Sequence, residues 1–591
     1  MRDGFIKVGA FTPEIVTGDC ASNAVSIIEG IRYAYSRGVR LLVLPELCVT
    51  GCTCGELLRQ GTLLNAAWDA LEYITAETRG LDMVTVLGLP ARDAGTAKSS
   101  AAVISKGEII DVLTEGGDAA VVYECAGFPD LTFSVETGSS LLSACDDSAN
   151  IILCLAGEPH LIGADERLRT FLKAESARRI CAVVYANAGE GESTSDGIYA
   201  GHNVIAENGR LLRESRLFEN GLITADIDLG AIAFDRRRRT VRKDPEMIIK
   251  QFELCPADTK LERRFSKAPF IPENEEEIPA RCAEIIKMQV SGLKKRLLHT
   301  GAKKLLLGIS GGLDSTLALI AAAETMDALK RPRTDIHTVS MPCFGTSGRT
   351  RSNAHSLCTL FGTQFSEIDI SEAVKLHLKS IGHGGAEDTA FENAQARERT
   401  QVLMDIANAE NGIVIGTGDL SELALGWSTY NGDHMSMYGV NSSLPKTLIR
   451  KIVGYYAAVR GGELSEILSD ILSTPVSPEL LPGAKDSIAQ KTEDIIGPYE
   501  LHDFFLYHTV RHGCSPRKTL RMAEAAFSGV YDSESIKKWL KLFYRRFFSQ
   551  QFKRSCSPDG VRTGSVCLSH GMWRMPADIS GRLWIGEAER L

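Results

Sequence analysis

The sequence predicts two α/β domains, the first a sandwich of buried strands and helices, the second a doubly wound parallel sheet. Three observations carry that prediction. The chain has 591 residues, and at roughly 100–200 residues per domain this calls for two or three domains. Three prolines and four glutamates crowd the stretch from Pro269 to Pro279, a composition that suits an exposed linker better than a packed element. On both sides of it, short apolar runs alternate with helical patterns.

Taken in order, the first half offers strands at 5–11, 41–44, 84–87, 101–105, 151–155 and 182–185. Each is a short apolar run closed by turn residues, as expected of strands buried on both faces. The second half offers strands at 303–309, 335–341 and 412–416, separated by long helical patterns, the order of a doubly wound parallel sheet. The expected domains are therefore 1–265 and 281–591, with a linker at 266–280. No internal repeat is visible.

Composition narrows the class. Apolar residues at 44% and charged residues at 24% are ordinary globular values, which excludes wholesale disorder. A formal net charge of -9 argues against a nucleic-acid binder, which would carry a basic surplus. The sequence lacks a membrane-spanning apolar run and a signal-peptide core at Met1–Phe5, so the expected location is cytoplasmic, with no membrane partner. Fifteen cysteines, an odd number, then read as reduced thiols. Cys48, Cys52 and Cys54 form the tightest group, but C-x3-C-x-C without a matching pair is a poor zinc pattern and fits small buried thiols better.

The strongest chemical signal is Ser310-Gly311-Gly312-Leu313-Asp314-Ser315, preceded by an apolar strand through Gly308 and Ile309 and followed by a helix at 316–325. Strand, Gly-Gly turn and helix start together make an anion site, because paired glycines let backbone N–H groups approach phosphate oxygens and the helix dipole favours negative charge. It is not a Walker loop, since no Gly-Lys-Ser/Thr follows. Asp314 would repel a bare phosphate, so its natural role is to hold Mg²⁺ beside the phosphates. A Gly-rich helix cap without ligand is the bland alternative.

This loop resembles the pyrophosphate loop of ATP pyrophosphatases, which split ATP into AMP and pyrophosphate to activate an oxygen as its adenylate. Further runs extend the likeness in order: Phe391–Arg399, Ile415–Glu422, Leu425–Asp433, Val440–Thr447, Pro475–Leu480, Thr492–Asp503 and Gln551–Arg554. Together they resemble the synthetase domain of the long, glutamine-dependent NAD synthetases across nearly all of 281–591. The resemblance implies ATP-dependent amidation of deamido-NAD⁺ through an adenylate, giving NAD⁺, AMP and pyrophosphate. It implies that Gly308, Ile309 and Ser310–Ser315 cradle ATP, with Thr417 and Ser477 as further contacts. It makes Asp314 and Glu422 the Mg²⁺ ligands. Asn393, Arg397, Trp427, Ser428, Thr429, Tyr430 and Lys553 become deamido-NAD contacts. Met572 stands where relatives usually carry an acid.

Residues 1–260 resemble a nitrilase-superfamily amidohydrolase, an α-β-β-α sandwich that supplies ammonia from glutamine in the long NAD synthetases. Leu44–Gly51, Gly189–Thr194 and Gly201–Gly209 carry the likeness. Such a site needs a Glu base, a Lys for the oxyanion and a Cys nucleophile. Glu46 matches the first. Glu115 occupies the lysine position and Gly138 the cysteine position, and residues 107–166 contain no lysine or arginine. The expectation is a non-hydrolytic glutaminase remnant, with the synthetase using free ammonia or ammonia from a source acting in trans. Glu46 has a plainer alternative, a buried acceptor that merely holds its turn.

Two other readings stay open. Cys154 or Cys145 could have taken over as nucleophile, although a cysteine inside an apolar run is ordinarily core filler and, without a lysine nearby, a poor thiolate. Alternatively, the whole chain could be a non-catalytic regulatory or assembly subunit, which the intact Ser310–Ser315, Asn393, Glu422 and Lys553 weigh against. The long relatives' oligomers imply a homo-oligomer here.

Overall fold

The computed structural model describes residues 2–91, 98–114, 120–137, 148–239, 247–345, 348–475, 492–569 and 571–591. The chain divides into two compact units, Met1–Arg263 and Arg264–Leu591.

The first unit is a two-sheet sandwich. In chain order its strands are β1 (Phe5–Thr12), β2 (Leu41–Val43), β3 (Val84–Pro90), β4 (Ser99–Ser105), β5 (Glu108–Thr114), β6 (Val121–Cys125), β7 (Thr132–Thr137), β8 (Ile151–Ala156), β9 (Ala182–Asn187), β10 (Val204–Glu207), β11 (Arg210–Glu214), β12 (Gly221–Asp228) and β13 (Ile248–Phe252). One sheet has the order β12-β1-β2-β3-β4-β5, the other β11-β10-β9-β8-β7-β6-β13. Side chains alternate across each strand, and both faces are covered. Ile151, Leu153 and Leu155 of β8 meet Ile6, Val8, Leu41 and Val43 between the sheets. Ile152, Cys154 and Ala156 face outward, against Leu168 and Leu172 of the helix Ala164–Arg179. On the opposite side, Leu42, Leu44, Leu87 and Leu89 lie under the helices Cys20–Ser36 and Gly61–Glu77. This double burial explains why the strands read as apolar runs with little alternation.

The second unit carries β14 (Lys304–Gly308), β15 (Ile336–Ser340), β16 (Gln364–Glu367), β17 (Gly412–Gly416) and β18 (Tyr438–Gly439). Their order is β16-β15-β14-β17-β18, all parallel. Leu305 and Leu307 pack with the helices Ile278–Thr300, Leu313–Leu329 and Lys446–Arg460, whereas Leu306 faces Ala407 of Thr389–Glu410. The strand order reverses between β14 and β17, so the loops leaving their carboxyl ends diverge and open a crevice there.

The stretch 266–280, expected as an exposed linker, is exposed at 273–277 and 279–280, while two of its apolar side chains dock. Phe270 and Ile271 pack against the core of the second unit, and the Phe270 ring meets Tyr507 edge-on at 5.1 Å. Asn274 accepts a hydrogen bond from the Glu276 amide at 3.1 Å, and a helix starts at Ile278 with Pro279 in its first turn. Prolines forbid a regular ladder but fix an extended backbone, on which the two intervening apolar side chains can dock. Among the described residues, no helix is long and apolar enough to cross a membrane.

Candidate functional site

The crevice at the ends of β14 and β17 holds a cavity of about 740 Å³, within the ordinary range for a small-molecule site. Its floor is made by two turns. After β14 the chain passes through Ser310, Gly311 and Gly312 into the helix Leu313–Leu329. Gly311 has φ +79°, and a Cβ there would stand 2.2 Å from the Thr350 carbonyl oxygen, so glycine is required by conformation and by space. Ser310 Oγ accepts from the Gly312 amide at 3.2 Å, and Ser315 Oγ donates to the Gly312 carbonyl at 3.1 Å. These bonds set the loop before any ligand arrives.

After β17, Asp419 caps the helix Leu420–Leu425 in a reciprocal box. Its carboxylate accepts from the Glu422 amide at 2.7 Å, and Glu422 accepts from the Asp419 amide at 3.3 Å. The box fixes two carboxylates at once. Asn441 joins the turns, its Nδ2 donating to the carbonyls of Asp314 at 2.9 Å and Thr417 at 3.2 Å, and Gln289 Nε2 donates in turn to Asn441 Oδ1.

At the centre lies Lys446, 1% exposed, with Nζ 2.7 Å from Asp314, 2.7 Å from Asp419 and 3.1 Å from Glu422. Burial works against its charge, but the three carboxylates outweigh that and hold the ammonium well above the ordinary lysine range. Burial pushes Asp419 and Glu422 up, and Lys446 pulls them back. Asp503 holds the segments that carry Lys446 and Glu422. That buried side chain accepts from Ser421 Oγ, from the Thr447 amide at 3.1 Å and from Thr447 Oγ1 at 2.7 Å. Ser421 Oγ itself accepts from the Lys446 amide at 2.9 Å. One carboxylate thus ties the helix carrying Glu422 to the helix that opens with Lys446.

Asp314, Asp419 and Glu422 each offer one oxygen, all within 4.8 Å of one another. Asp314 Oδ1 is buried without a hydrogen-bond partner. Three hard oxygen donors, one of them unsatisfied, fit Mg²⁺.

Across the cavity, Thr429 Oγ1 donates to Asn393 Oδ1 at 2.8 Å, and the Thr429 amide donates to Asp433 at 2.7 Å. Lys553 Nζ donates to the carbonyls of Gly426 at 2.9 Å and Ser428 at 2.6 Å. Arg546 lies over the Trp427 ring at 5.2 Å.

Of the residues expected from sequence, Gly308, Ile309, Ser310, Gly312–Ser315, Asn393, Thr417, Glu422, Trp427–Tyr430 and Lys553 line this one cavity. Gly311 turns instead toward Thr350, and Arg397 stands behind the wall, its Nε donating to the Tyr430 carbonyl at 3.3 Å. Ser477 lies outside the described residues. Asp419, Lys446, Asp503 and Asn441 received no role from sequence, though each lies in a run quoted above. The capping pattern Asp419-Leu420-Ser421-Glu422 was a usable signal for the first.

In the first unit, Glu46 follows β2. Its amide donates to the Ala156 carbonyl at 3.2 Å, and its carbonyl accepts from Cys52 Sγ at 2.9 Å. Gly88 makes room for this turn, since a Cβ would stand 2.3 Å from the Leu47 nitrogen. Glu192 accepts from the Cys52 amide at 2.8 Å and the Thr53 amide at 3.1 Å. Burial, then Glu192 and Glu46, holds the Cys52 thiol well above its usual range. Cys54 Sγ donates elsewhere, to the Thr50 carbonyl, and Cys48 Sγ points to the Gly88 carbonyl. Cys154 is fully buried beneath Ala164–Arg179, and burial with Glu136 and Glu46 pushes its thiol well up. Arg179, the cation beside it, meets Glu136 at 2.7 Å. Glu115, Gly138 and Cys145 lie outside the described residues.

Comparison with known proteins places these features. Residues 285–536 match the NAD synthase family model. The glutamine-dependent NAD(+) synthetase of Mycobacterium bovis is 36% identical, with 100% of this chain and 98% of that protein covered. The crystal structure of a glutamine-dependent NAD(+) synthetase from Cytophaga hutchinsonii aligns over 99% of this chain and 100% of its own, at 18% identity and TM-score 0.43. A mutant amidase of the nitrilase superfamily from Nesterenkonia AN1 aligns over 40% of this chain and 96% of its own, at 18% identity and TM-score 0.33. A likeness that runs at 36% identity through the whole chain settles the matter of kinship: this chain belongs to the glutamine-dependent NAD(+) synthetase family.

Proposed function

We propose that this chain amidates deamido-NAD⁺ at the expense of ATP, and that it takes ammonia as such instead of hydrolysing glutamine in its first unit. The observation that carries the first clause is the floor of the cavity. There a glycine-rich turn, a helix start, Lys446 and three carboxylates converge on one crevice. In the proposed reaction the nicotinate carboxylate attacks the α-phosphorus of ATP, pyrophosphate leaves, and ammonia then displaces AMP.

Such chemistry asks for positioning and charge neutralisation more than for a protein nucleophile. Backbone amides of Ser310–Ser315 would receive the phosphates, with Thr417 and Ser477 as further ATP contacts. Lys446 supplies a fixed positive charge whose protonation its neighbours guarantee. Asp314, Asp419 and Glu422 would hold Mg²⁺, which neutralises phosphate charge when bound. Asn393, Arg397, Trp427, Ser428, Thr429, Tyr430 and Lys553 would take deamido-NAD⁺. Lys553 and Arg397 act there by bracing the 426–430 turn through its carbonyls.

For the second clause the support is chemical. A glutaminase of this type needs a thiolate and a cation for the oxyanion. Position 138 is glycine and position 115 glutamate. The thiols beside Glu46 and Glu136, the half-buried Cys52 and the buried Cys154, lie near carboxylates that disfavour the thiolate. Purified chain given ATP, Mg²⁺ and deamido-NAD⁺ should form NAD⁺ with ammonium and not with glutamine. NAD⁺ from glutamine at trace ammonium would refute the ammonia reading, and failure with both donors would refute the ligase. The second reading, glutamine use through a relocated thiol, is favoured by the names of the relatives. It predicts glutamine-driven NAD⁺ that disappears in Cys145→Ala or Cys154→Ala.

A further inference from the structure

Beside the same cavity, away from the acidic floor, stands a thiol–imidazole pair that the proposed reaction does not use; of the two, His434 lines the cavity and Cys556 stands behind it. His434 is 7% exposed and lines the cavity. Its Nδ1 lies 2.8 Å from the Thr429 carbonyl oxygen. A carbonyl can only accept, so Nδ1 carries the proton and Nε2 presents its lone pair. That lone pair faces the half-buried Cys556, with Sγ 3.3 Å away. The same Sγ donates to the Lys553 carbonyl oxygen at 3.3 Å, so its one proton must turn from that carbonyl to Nε2 when the base takes it. The charged neighbours of this pair are Asp433, whose carboxylate both His434 and Lys553 stabilise, and Lys553 itself.

We propose that Cys556 is a modification site for low-molecular-weight disulfides, with His434 as the base that takes its proton. Sγ attacks one sulfur of the disulfide while its proton passes to Nε2. The reagent's S–S bond breaks, a mixed disulfide forms on Cys556, and the departing thiolate recovers the proton from His434. One S–S bond breaks and one forms, and the protein thiol is oxidised to the mixed disulfide as one reagent sulfur is reduced to a thiol, so atoms, electrons and charge balance. At rest the thiol is neutral, since burial raises it, and the aligned base is what makes it reactive.

The consequence follows from what the pair touches. A group added to Sγ, already 3.3 Å from His434 Nε2 and from the Lys553 carbonyl, crowds the imidazole and the backbone that carries the Lys553 side chain. His434 holds the Thr429 carbonyl, and Lys553 holds those of Gly426 and Ser428. A shift of either loosens the 426–430 turn, and loss of one or two such bonds raises the KM for deamido-NAD⁺ about 10-fold. This coupling rests on the substrate reading given above; the modification itself does not.

The test treats the full-length chain with oxidised glutathione and follows each cysteine by peptide mass spectrometry. Cys556 should be modified ahead of the exposed Cys255, and His434→Gln should slow Cys556 about 100-fold while leaving Cys255 unchanged. Equal rates at the two cysteines, or no slowing in His434→Gln, would overturn the pair. Should that variant misfold, the wild-type comparison of Cys556 with Cys255 decides alone, and a Cys556 no faster than Cys255 overturns the pair. In protein that makes NAD⁺, modification should raise the KM for deamido-NAD⁺, reversibly with dithiothreitol and not in Cys556→Ser. An unmoved KM overturns the coupling, whereas protein that makes no NAD⁺ overturns the substrate reading and leaves the labelling result to decide the site.

Discussion

Replacing Lys446 by Met keeps its length and removes its charge, which makes it the sharpest probe of the acidic floor. The ammonium stands 2.7, 2.7 and 3.1 Å from three carboxylates. At an effective dielectric of about 20, each contact is worth on the order of 5–6 kcal/mol of gross attraction. Together they exceed the several kcal/mol needed to bury one ammonium, which is why the lysine stays charged at 1% exposure. In Lys446→Met the carboxylates remain without their cation, and removal of one partner of a buried pair costs about 3–5 kcal/mol. Chemical denaturation of the second unit, followed in EDTA at pH 7.5 (about 1–3 kcal/mol per molar urea), should register that loss. Mg²⁺ should restore part of it, because the three oxygens fit a divalent cation. NAD⁺ formation from ammonium should fall by about 10²–10³-fold, the usual effect of removing one fixed electrostatic group. A variant within about 1 kcal/mol of wild type in EDTA would refute the buried cluster, because only surface ion pairs are that cheap to lose.

Three further outcomes follow from the same geometry. Asp503→Ala should lower kcat by about 10–100-fold through drift of Lys446 and Glu422, whereas Asp503→Asn, which can keep most of the bonds to Ser421 and Thr447, should recover much of it; steady-state kinetics with ammonium compare them. Gly311→Ala must place a Cβ 2.2 Å from the Thr350 carbonyl at φ +79°, so calorimetric titration should show ATP affinity lowered at least about 10-fold. His502 and Asp503 oppose each other in acid. Burial lowers His502 to about 4 from 6.5 and raises Asp503 to about 6 from 3.8. The depressed histidine loses stability as pH falls from about 6.5 to 4, and the raised carboxyl loses stability as pH rises from about 4 to 6, each on the order of 3 kcal/mol. In wild type these slopes largely cancel, so His502→Gln should gain stability relative to wild type on acidification from pH 7 to pH 4, read by denaturant unfolding at both values.

What the sequence disclosed, and what it hid, divides along the range of the interactions. The strands on which the sites are built were legible because both faces are buried. Leu305–Leu307 and Ile151–Ala156 are apolar without interruption, a pattern that needs no partner to be read. Edge strands such as β5, exposed along much of its length, and the two-residue β18 carry no such run, since partners on the sheet define them. At the floor of the cavity, Gly311 and Asp314 were legible because a turn and a helix start are local. Lys446 was not, because its meaning depends on Asp314 and Asp419, respectively 132 and 27 positions away in the chain and joined only when β14 and β17 become neighbours. Asp503 is a step further removed, for it touches only the residues that hold the site. The docking of the linker was hidden for a related reason: its prolines and glutamates describe a solvated segment, and only the fold supplies the core on which Phe270 and Ile271 dock. The carboxylates of the floor show the limit most clearly, because a buried lysine reads as an improbable residue until the three acids that make it stable are brought around it.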